Sequence, residues 1–256
     1  MGKILANVRA GIFYLGYSLT LVVWGPLCVL LAPLLPLKGR YRMCLMWNHF
    51  ALWWLGLVCG LRYKVEGPLP TPGEPVVVLS NHQSPWETLF LVQFFEPICP
   101  ILKIELLSIP FFGWGLRQLQ PIAIDRSKRR EARDTLLTQG QDRLARGLSV
   151  LVFPEGTRVD PGQARKFSSG GAELAIASGA SIVPVMHDAG CFWPAHHFGK
   201  RVGTITVQVG PPIPSIGRDA RELTEEVSRW IKTRFDALHP ELSGEAADPS
   251  DVEIGH

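Results

Sequence analysis

Residues 76–87 read VVVLSNHQSPWE, an apolar run that passes through a short polar turn into the start of a helix. The run is rich in β-branched residues without alternating polarity, which is typical of a strand buried on both faces. The helix start has Ser84 as N-cap, Pro85 in the first turn and Glu87 three residues after the cap. The predicted strand therefore ends at a turn that carries a histidine, His82.

Apolar runs alternate with helical segments throughout the chain after residue 60. Strands are predicted at Arg62–Glu66, Val76–Ser80, Ile122–Ile124, Val150–Phe153, Ile182–Met186 and Thr204–Val209. Helices are predicted at Pro85–Phe95, Ser127–Ala145, Gly171–Ser178 and Arg218–Leu238. This alternation predicts an α/β fold for residues 61–239, with a mixed, largely parallel sheet flanked by helices.

Residues 1–60 are predicted to form a membrane-associated helical pair that precedes this domain. Residues 11–37 contain no charged side chain, and residues 43–60 form a second uncharged stretch. We expect Pro26, Pro33 and Pro36 to interrupt the first stretch, which leaves about 15 residues, or roughly 22 Å of helix, before Pro26. That length is shorter than the hydrocarbon core of a bilayer, which is roughly 30 Å thick.

Basic residues flank both uncharged stretches. They are Lys3 and Arg9 before the first, Lys38, Arg40 and Arg42 between the two, and Arg62 and Lys64 after the second. Two spans would put the middle group on the opposite side of the membrane from the other two, against the positive-inside tendency. A pair that enters one leaflet and returns keeps all three groups on one face. We therefore favour a monotopic or re-entrant pair over true spans, with a buried hairpin of a soluble domain as a further alternative.

The composition excludes some classes of protein. The net charge is only +3, whereas a nucleic-acid-binding protein usually carries a strongly basic face. The five cysteines are odd in number and form no C-x-x-C pair, so we expect no disulfide framework and a reducing compartment. Residues 240–256 are acidic and rich in small residues, which predicts a disordered tail.

His82 and Glu87 are candidate catalytic residues. A neutral imidazole at a turn between strand and helix is suited to take the proton from an attacking hydroxyl. A nearby carboxylate such as Glu87 would orient the ring and stabilise the imidazolium that forms. By themselves, two such residues are more often a polar loop histidine and a carboxylate that only closes a helix capping box.

A second polar turn, PEGTR at residues 154–158, follows the predicted strand Val150–Phe153. Gly156 permits a tight turn, and Arg158 offers a planar charged fork suited to a phosphate. Glu155 is placed to accept a hydrogen bond from a substrate hydroxyl or to hold the loop. Taken alone, such a motif is more often a surface turn.

Further basic residues are candidates for anion binding. Lys103 and Arg126 are predicted to add positive charge to the same phosphate site. The basic run at residues 128–133 is a candidate surface for coenzyme A, acyl carrier protein or lipid headgroups. A solvated helix face explains the same run equally well.

Three other kinds of protein fit parts of this pattern. A hydrolase would use His82 with Ser80 or Ser84, although the sequence has no G-x-S-x-G turn. A metal site would use His187, Cys191, His196 and His197. Their spacing matches no standard zinc pattern. A membrane adaptor without catalytic activity would keep the fold alone.

Four segments resemble, in order and spacing, the motifs of the 1-acyl-glycerol-3-phosphate acyltransferase family. They are Asn81–Glu87, Lys103–Trp114, Phe153–Arg158 and Ile182–Val185. The resemblance covers residues 61–214 and implies transfer of a fatty acyl chain from an acyl thioester to the free hydroxyl of lysophosphatidic acid. The product would be phosphatidic acid, an intermediate of phospholipid biosynthesis. Acylation of glycerol-3-phosphate or of another lysophospholipid is the alternative.

The resemblance also implies roles for the motif residues. His82 would be the general base, and Glu87 would orient its ring. The expected substrate-binding residues are Lys103, Arg126, Glu155, Gly156, Thr157 and Arg158. We expect no metal, no cofactor and no covalent acyl-enzyme.

The implied partners are lysophosphatidic acid, an acyl donor that is either acyl-CoA or acyl carrier protein, and membrane lipid. The implied location is the cytoplasmic face of a bacterial inner membrane. One position departs from the family pattern, since Glu87 stands where Asp is usual. The extra methylene displaces the carboxylate by about 1 Å, enough to matter for the contact with His82.

Overall fold

The structure, a computed structural model, describes residues 2–68, 71, 73–125 and 127–242. Its strands are β1 (Leu61–Glu66), β2 (Val77–Ser80), β3 (Ile98–Lys103), β4 (Ile122–Ile124), β5 (Ser149–Val152), β6 (Ile182–His187) and β7 (Gly203–Val209). They form one sheet in the order β1-β7-β6-β2-β5-β3-β4. Neighbouring strands are parallel except β6 and β7, which are antiparallel. The predicted mixed, largely parallel sheet is confirmed.

The α-helices of the described residues are α1 (Gly2–Leu31), α2 (Leu37–Cys59), α3 (Trp86–Phe94), α4 (Phe112–Gln118), α5 (Arg129–Ala145), α6 (Gly170–Ser178), α7 (Ala189–Phe192) and α8 (Ala220–Leu238). Short 3₁₀ turns lie at Ala32–Leu34, Ile104–Ser108 and Pro240–Leu242. Each predicted strand and helix is present within two residues of its expected ends. The predicted flanking helices are therefore confirmed.

The sheet is buried on both faces, as the apolar run at residues 76–80 predicts. Val77 and Leu79 pack into a core shared with α5, α6 and α8. Val78 points the other way, into a core shared with α1, α2 and α3. Because side chains alternate across a strand, each of these apolar residues serves one of the two layers.

α1 and α2 pack against each other as an antiparallel hairpin. The indole N–H of Trp24 donates to the carbonyl of Met43 at 3.0 Å, and that of Trp47 donates to the Thr20 hydroxyl at 3.2 Å. Near the open end, the Cys59 thiol lies 3.8 Å from the carbonyl of Arg9. The predicted helical pair is thus present, and its contacts run along its whole length.

The expectation that Pro26 ends the first helix is wrong, because α1 continues to Leu31. Proline removes one backbone N–H, and its ring crowds the preceding residue. Here that residue is Gly25, which has no Cβ and packs directly against the backbone of Phe111. Among the described residues, the segment of α1 and its 3₁₀ extension to Leu34 is the one helix that is long and apolar enough to cross a membrane.

The hairpin covers one face of the sheet rather than projecting away from it. The Tyr41 hydroxyl of α2 donates to the carbonyl of Leu119 at 2.8 Å, and the Asn48 amide donates to the carbonyl of Leu89 at 3.2 Å. The opposite side of α1 exposes a row of large apolar side chains at helical spacing. They are Ile4, Val8, Ile12, Leu15, Leu19 and Val23.

Three elements were missing from the sequence prediction: β3, α4 and the short α7. Pro100 lies inside β3, and a proline without an N–H normally argues against an interior strand. It is tolerated here next to Leu151 of β5. α4 begins in a segment rich in proline and glycine, and its N-terminal neighbour Phe111 has a positive φ of 63° that composition does not reveal.

The ends of the predicted domains are described only in part. Gly60 adopts a left-handed conformation, with φ 68°, that turns α2 directly into β1. The domain boundary at this residue stays a prediction. The predicted disordered tail begins with the 3₁₀ turn at Pro240–Leu242, and its remainder lies outside the described residues.

We expect Tyr41→Phe to reduce the free energy of unfolding by about 1–3 kcal/mol, because it leaves the buried Leu119 carbonyl without its donor. Tyr63→Phe is the matched control, since the Tyr63 hydroxyl makes no hydrogen bond within the described residues. Denaturant unfolding in detergent measures both. An equal effect of the two substitutions would contradict the assigned bond.

Candidate active site

The carboxyl ends of four adjacent strands meet at one edge of the sheet. In spatial order they are β6, β2, β5 and β3. His187 ends β6, His82 follows β2, Arg158 follows β5, and Lys103 ends β3. Parallel α/β sheets bind ligands at this edge. Residues far apart in sequence are therefore brought to one site by the order of the strands.

The contact between His82 and Glu87 is present. Nδ1 of His82 lies 2.8 Å from Oε1 of Glu87, whose side chain is fully buried. The same oxygen accepts hydrogen bonds from the backbone N–H groups of Gln83 at 2.9 Å and Ser84 at 2.8 Å. The Ser84 hydroxyl in turn accepts from the N–H of Trp86 at 3.1 Å. Glu87 thus holds the turn before α3 and the histidine with one oxygen. The N-cap of α3 is Pro85 rather than the predicted Ser84.

This arrangement determines which nitrogen of His82 is free. Glu87 is already an acceptor for two backbone N–H groups, so Nδ1 of His82 donates to it and Nε2 carries the lone pair. The ring stacks on Phe153, with centroids 4.2 Å apart. Nε2 therefore faces away from the buried carboxylate, towards the cleft that His82 lines. A neutral imidazole held in this way is suited to accept a proton.

The extra methylene of Glu87, relative to the Asp usual at this position, does not break the contact. Oε1 reaches His82 and the capping N–H groups at ordinary hydrogen-bond distances. Burial acts to raise the pKa of Glu87, but the hydrogen bonds from His82 and from the backbone N–H of Ser84 hold that pKa below its usual value. The carboxylate is therefore ionised where it meets His82.

His187 lies on the other side of Glu87, with Nε2 4.0 Å from Oε2. Its Nε2 donates to the carbonyl of Asn81 at 2.8 Å, and its Nδ1 accepts from the N–H of Ala189 at 3.3 Å. Burial lowers the pKa of His187, so this ring is neutral and forms no ion pair. Sequence reasoning missed this neighbour of Glu87. The signal was its position at the end of a predicted strand.

Glu155 points inwards rather than into the cleft. Its Oε2 accepts from the backbone N–H of His82 at 2.7 Å. The carbonyl of His82 accepts from the N–H of Val159 at 2.8 Å. Burial raises the pKa of Glu155 to about 8 against the effect of the His82 N–H, and the charge of Glu87 adds to the rise. Of the two roles open from the sequence, the geometry favours holding the loop.

A cleft of about 440 Å³ opens beside His82. Its polar lining includes Lys103, Thr157 and Arg158 together with His82. The remaining lining is largely apolar and includes Leu89, Val92, Ile101, Leu102, Leu106, Phe112, Leu116, Leu119, Leu151 and Phe153. The cleft thus joins a proton acceptor, two cations and an apolar channel.

The cations of the cleft are unpaired. Within the described residues, Lys103 and Arg158 form no ion pair or hydrogen bond, and both are exposed. Gly156, with φ 72°, makes the turn that brings Thr157 and Arg158 to the cleft. Cations without carboxylate partners are available to a phosphate. The candidate Arg126 lies outside the described residues.

The alternatives open from the sequence lack the required geometry. The Ser84 hydroxyl accepts from the N–H of Trp86, and the Ser80 hydroxyl donates to the carbonyl of Asn81 at 3.2 Å, so neither is hydrogen-bonded to His82. His187 uses both ring nitrogens inside the protein. Within the described residues, no three His, Cys, Asp or Glu side chains are grouped to hold a metal ion.

The site combines a histidine–carboxylate pair with an apolar cleft on an α/β sheet, and comparison with known proteins gives the class as acyltransferase. A family model described as Acyltransferase matches residues 62–188, the segment that contains the pair and both cations. A crystal structure of the 1-acyl-sn-glycerophosphate (LPA) acyltransferase from Thermotoga maritima has the same fold. Its TM-score is 0.78 at 23% identity, over 93% of this chain and 98% of that one.

Proteins related in sequence identify the family within the acyltransferase class. The chain is 44% identical to the 1-acyl-sn-glycerol-3-phosphate acyltransferase of Pseudomonas aeruginosa, over 91% of this chain and 92% of the relative. It is 32% identical to the human alpha enzyme of the same name, over 87% and 79% of the two chains. The chain belongs to the 1-acyl-sn-glycerol-3-phosphate acyltransferase family, which confirms the resemblance found in the motifs.

Glu155→Gln is expected to change how stability depends on pH. The folded protein holds the Glu155 proton more tightly than the unfolded chain does, because the folded pKa is about 8 against an ordinary 4.5. Wild type therefore loses stability as pH rises through this interval, and Glu155→Gln lacks that loss. Denaturant unfolding near both ends of the interval measures it. If the free energies of unfolding of the two proteins changed equally with pH, the raised pKa of Glu155 would be contradicted.

Proposed function

We propose that this chain transfers a fatty acyl group from an acyl thioester to the free hydroxyl of 1-acyl-glycerol-3-phosphate, giving phosphatidic acid for phospholipid biosynthesis. The observation that carries the proposal is the free Nε2 of His82, oriented by Glu87 over an apolar cleft with unpaired cations. The names of the relatives support the same reaction.

The reaction that fits this geometry is a direct transfer. The acceptor hydroxyl gives its proton to Nε2 of His82 as its oxygen attacks the thioester carbon. The negative charge of Glu87 stabilises the imidazolium that forms. When the tetrahedral intermediate collapses, the C–S bond breaks and the thiolate takes the proton from His82. The products are the new ester and a free thiol, and the enzyme returns to its starting state.

The acceptor phosphate is proposed to bind Lys103 and Arg158, with the Thr157 hydroxyl beside them. A phosphate monoester carries close to two negative charges near neutral pH, which suits two unpaired cations and a fork-shaped guanidinium. The apolar part of the cleft is proposed to receive a fatty acyl chain. Glycerol-3-phosphate, which lacks such a chain, would leave that surface uncovered.

The acyl donor is proposed to be a thioester of either coenzyme A or acyl carrier protein. Both carriers are strongly anionic, and the N-terminal half of α5 presents Lys128, Arg130 and Arg133. Lys128 pairs with Glu131, and Arg133 pairs with Glu173, so part of this charge is already compensated. The remaining positive charge supports docking of an anionic carrier but does not distinguish between the two.

We propose that the exposed apolar side chains of α1 insert into one leaflet of the membrane. α2 is held against the α/β domain by Tyr41 and Asn48, which leaves it no room to cross the bilayer alone. The apolar side chains of α1 have no partner on their outer side. This supports a monotopic pair over true spans. The basic residues at both ends of the hairpin suit the cytoplasmic face of a bacterial inner membrane.

Activity depends on His82 in this mechanism. His82→Ala is expected to lower kcat by about 10²–10⁴, the usual contribution of a general base. Glu87→Gln is expected to lower it in the same range, since the amide leaves the imidazolium without its counter-charge. The measurement is formation of phosphatidic acid from labelled acyl-CoA, and separately from acyl carrier protein, with lysophosphatidic acid in detergent micelles.

His197→Ala serves as the matched control for these variants, since His197 is exposed and does not line the cleft. Circular dichroism establishes that each variant is folded. Near-full activity of folded His82→Ala would sink the mechanism. No phosphatidic acid from folded wild type with either donor would overturn the proposed reaction.

Membrane attachment is expected to depend on the outer row of α1. Leu19→Glu should weaken sedimentation with phospholipid vesicles by about 10-fold or more, because removing a leucine from an apolar environment alone costs about 1.5–3 kcal/mol. Ile216→Glu is the control, because Ile216 is 77% exposed but lies between β7 and α8. Equal effects of the two substitutions would contradict docking through α1.

A further inference from the structure

His196 reaches the cleft from a part of the chain that none of the recognised motifs includes. It lies in the connection between α7 and β7 and lines the same cavity as Thr157 and Arg158. Its neighbour His197 does not line that cavity. The imidazole of His196 makes no hydrogen bond within the described residues. A polar ring at the cleft with unused nitrogens is available to a ligand.

The loop that carries His196 is closed at its base. The N–H of Arg201 donates to the carbonyl of Phe192 at 2.8 Å, and the N–H of Trp193 donates to that of Ala189 at 2.8 Å. A tighter turn lies inside it, where the N–H of His197 donates to the carbonyl of Pro194 at 3.3 Å. These bonds restrict where the His196 side chain is presented.

Lys200 anchors the same loop to the N-terminal hairpin. Its Nζ lies 3.8 Å from the ring centroid of Tyr14, 4.7 Å from that of Phe13 and 4.6 Å from that of Trp193. Its one hydrogen bond within the described residues is to the carbonyl of Phe198, at 3.4 Å. The residue is only 4% exposed, and no carboxylate of the described chain pairs with it. Cation–π contacts are strongest when the cation is removed from water, as Lys200 is here.

The anchored loop lies on the cationic side of the cleft. His196 lines the cleft together with Thr157 and Arg158. Tyr14 stacks on Phe198 of the loop, with ring centroids 5.2 Å apart. Tyr14 and Lys200 therefore both join the loop that carries His196 to α1.

We propose that His196 donates a hydrogen bond to the acceptor phosphate beside Arg158, and that Lys200 is a positioning residue that holds its loop against α1. This inference rests on the proposed function, because it assigns a further group to the phosphate site of that reaction. An imidazole N–H is a suitable donor to a phosphate oxygen and adds direction to the charges of Lys103 and Arg158.

The test compares His196→Ala with His197→Ala by steady-state kinetics in detergent micelles. Lysophosphatidic acid is varied at saturating acyl thioester, and then the donor is varied at saturating acceptor. His196→Ala is expected to raise the apparent KM for lysophosphatidic acid about 10-fold, as loss of a hydrogen bond to a charged group does. The donor KM should stay unchanged, and His197→Ala should match wild type.

Arg158→Ala is the positive comparison and should shift the acceptor KM in the same direction. His196→Gln keeps an N–H donor and should recover part of the acceptor affinity. An unchanged acceptor KM in His196→Ala, while wild type forms phosphatidic acid, would overturn this inference alone. A rise confined to the donor KM would overturn it as well. Absence of phosphatidic acid from wild type would overturn the proposed function and this inference together.

Lys200→Met tests the positioning role, because methionine fills a similar volume among the rings without the charge. The acceptor KM should rise in Lys200→Met, but add little when His196→Ala is already present. Two groups that act through one contact show such non-additive effects. Independent, additive rises in the double variant would show that Lys200 does not act through His196.

Discussion

The site depends on one buried carboxylate. Glu87 has no exposed surface, and its Oε1 accepts from His82 and from the two backbone N–H groups of the turn. Those donors keep the group ionised in the interior, and the ionised group in turn fixes the turn and the ring. This one carboxylate oxygen thus holds the turn before α3 in place and determines which nitrogen of His82 carries the proton. Glu155 adds a further restraint, because its carboxyl oxygen accepts a hydrogen bond from the backbone N–H of His82.

Different elements of the fold supply the polar and the apolar groups of the cleft. Strand ends supply the polar groups, because parallel strands bring their carboxyl ends to one edge. α3, α4 and β3 supply much of the apolar side of the cleft, and Asn48 of α2 adds a polar group to the lining. The outer row of α1 is exposed on the other side of the hairpin. The apolar wall of the cleft and the exposed apolar surface therefore belong to different helices of one layer.

Local signals in the sequence were sufficient for the His82–Glu87 pair, because turn, cap and strand lie within a dozen residues. They were sufficient for six of the seven strands and for the longer helices of the α/β domain as well. Local signals were insufficient where burial or the order of strands in the sheet determines the structure. Pro100 concealed β3, and with it the strand order that brings Lys103 to the same edge of the sheet as His82. The inward direction of Glu155 follows from the parallel pairing of β5 with β2, which brings the turn after β5 against the backbone of His82. No periodicity in the sequence records that pairing.

The contacts of the hairpin have a consequence for the order of events during synthesis. α1 is made long before Trp193, yet its inner residue Phe13 packs on that side chain. Contacts that distant in sequence form late. α2 follows α1 directly and covers part of its inner face through Trp24 and Trp47. The part of that face around Phe13 is completed only after the chain from β1 to β6 has been made.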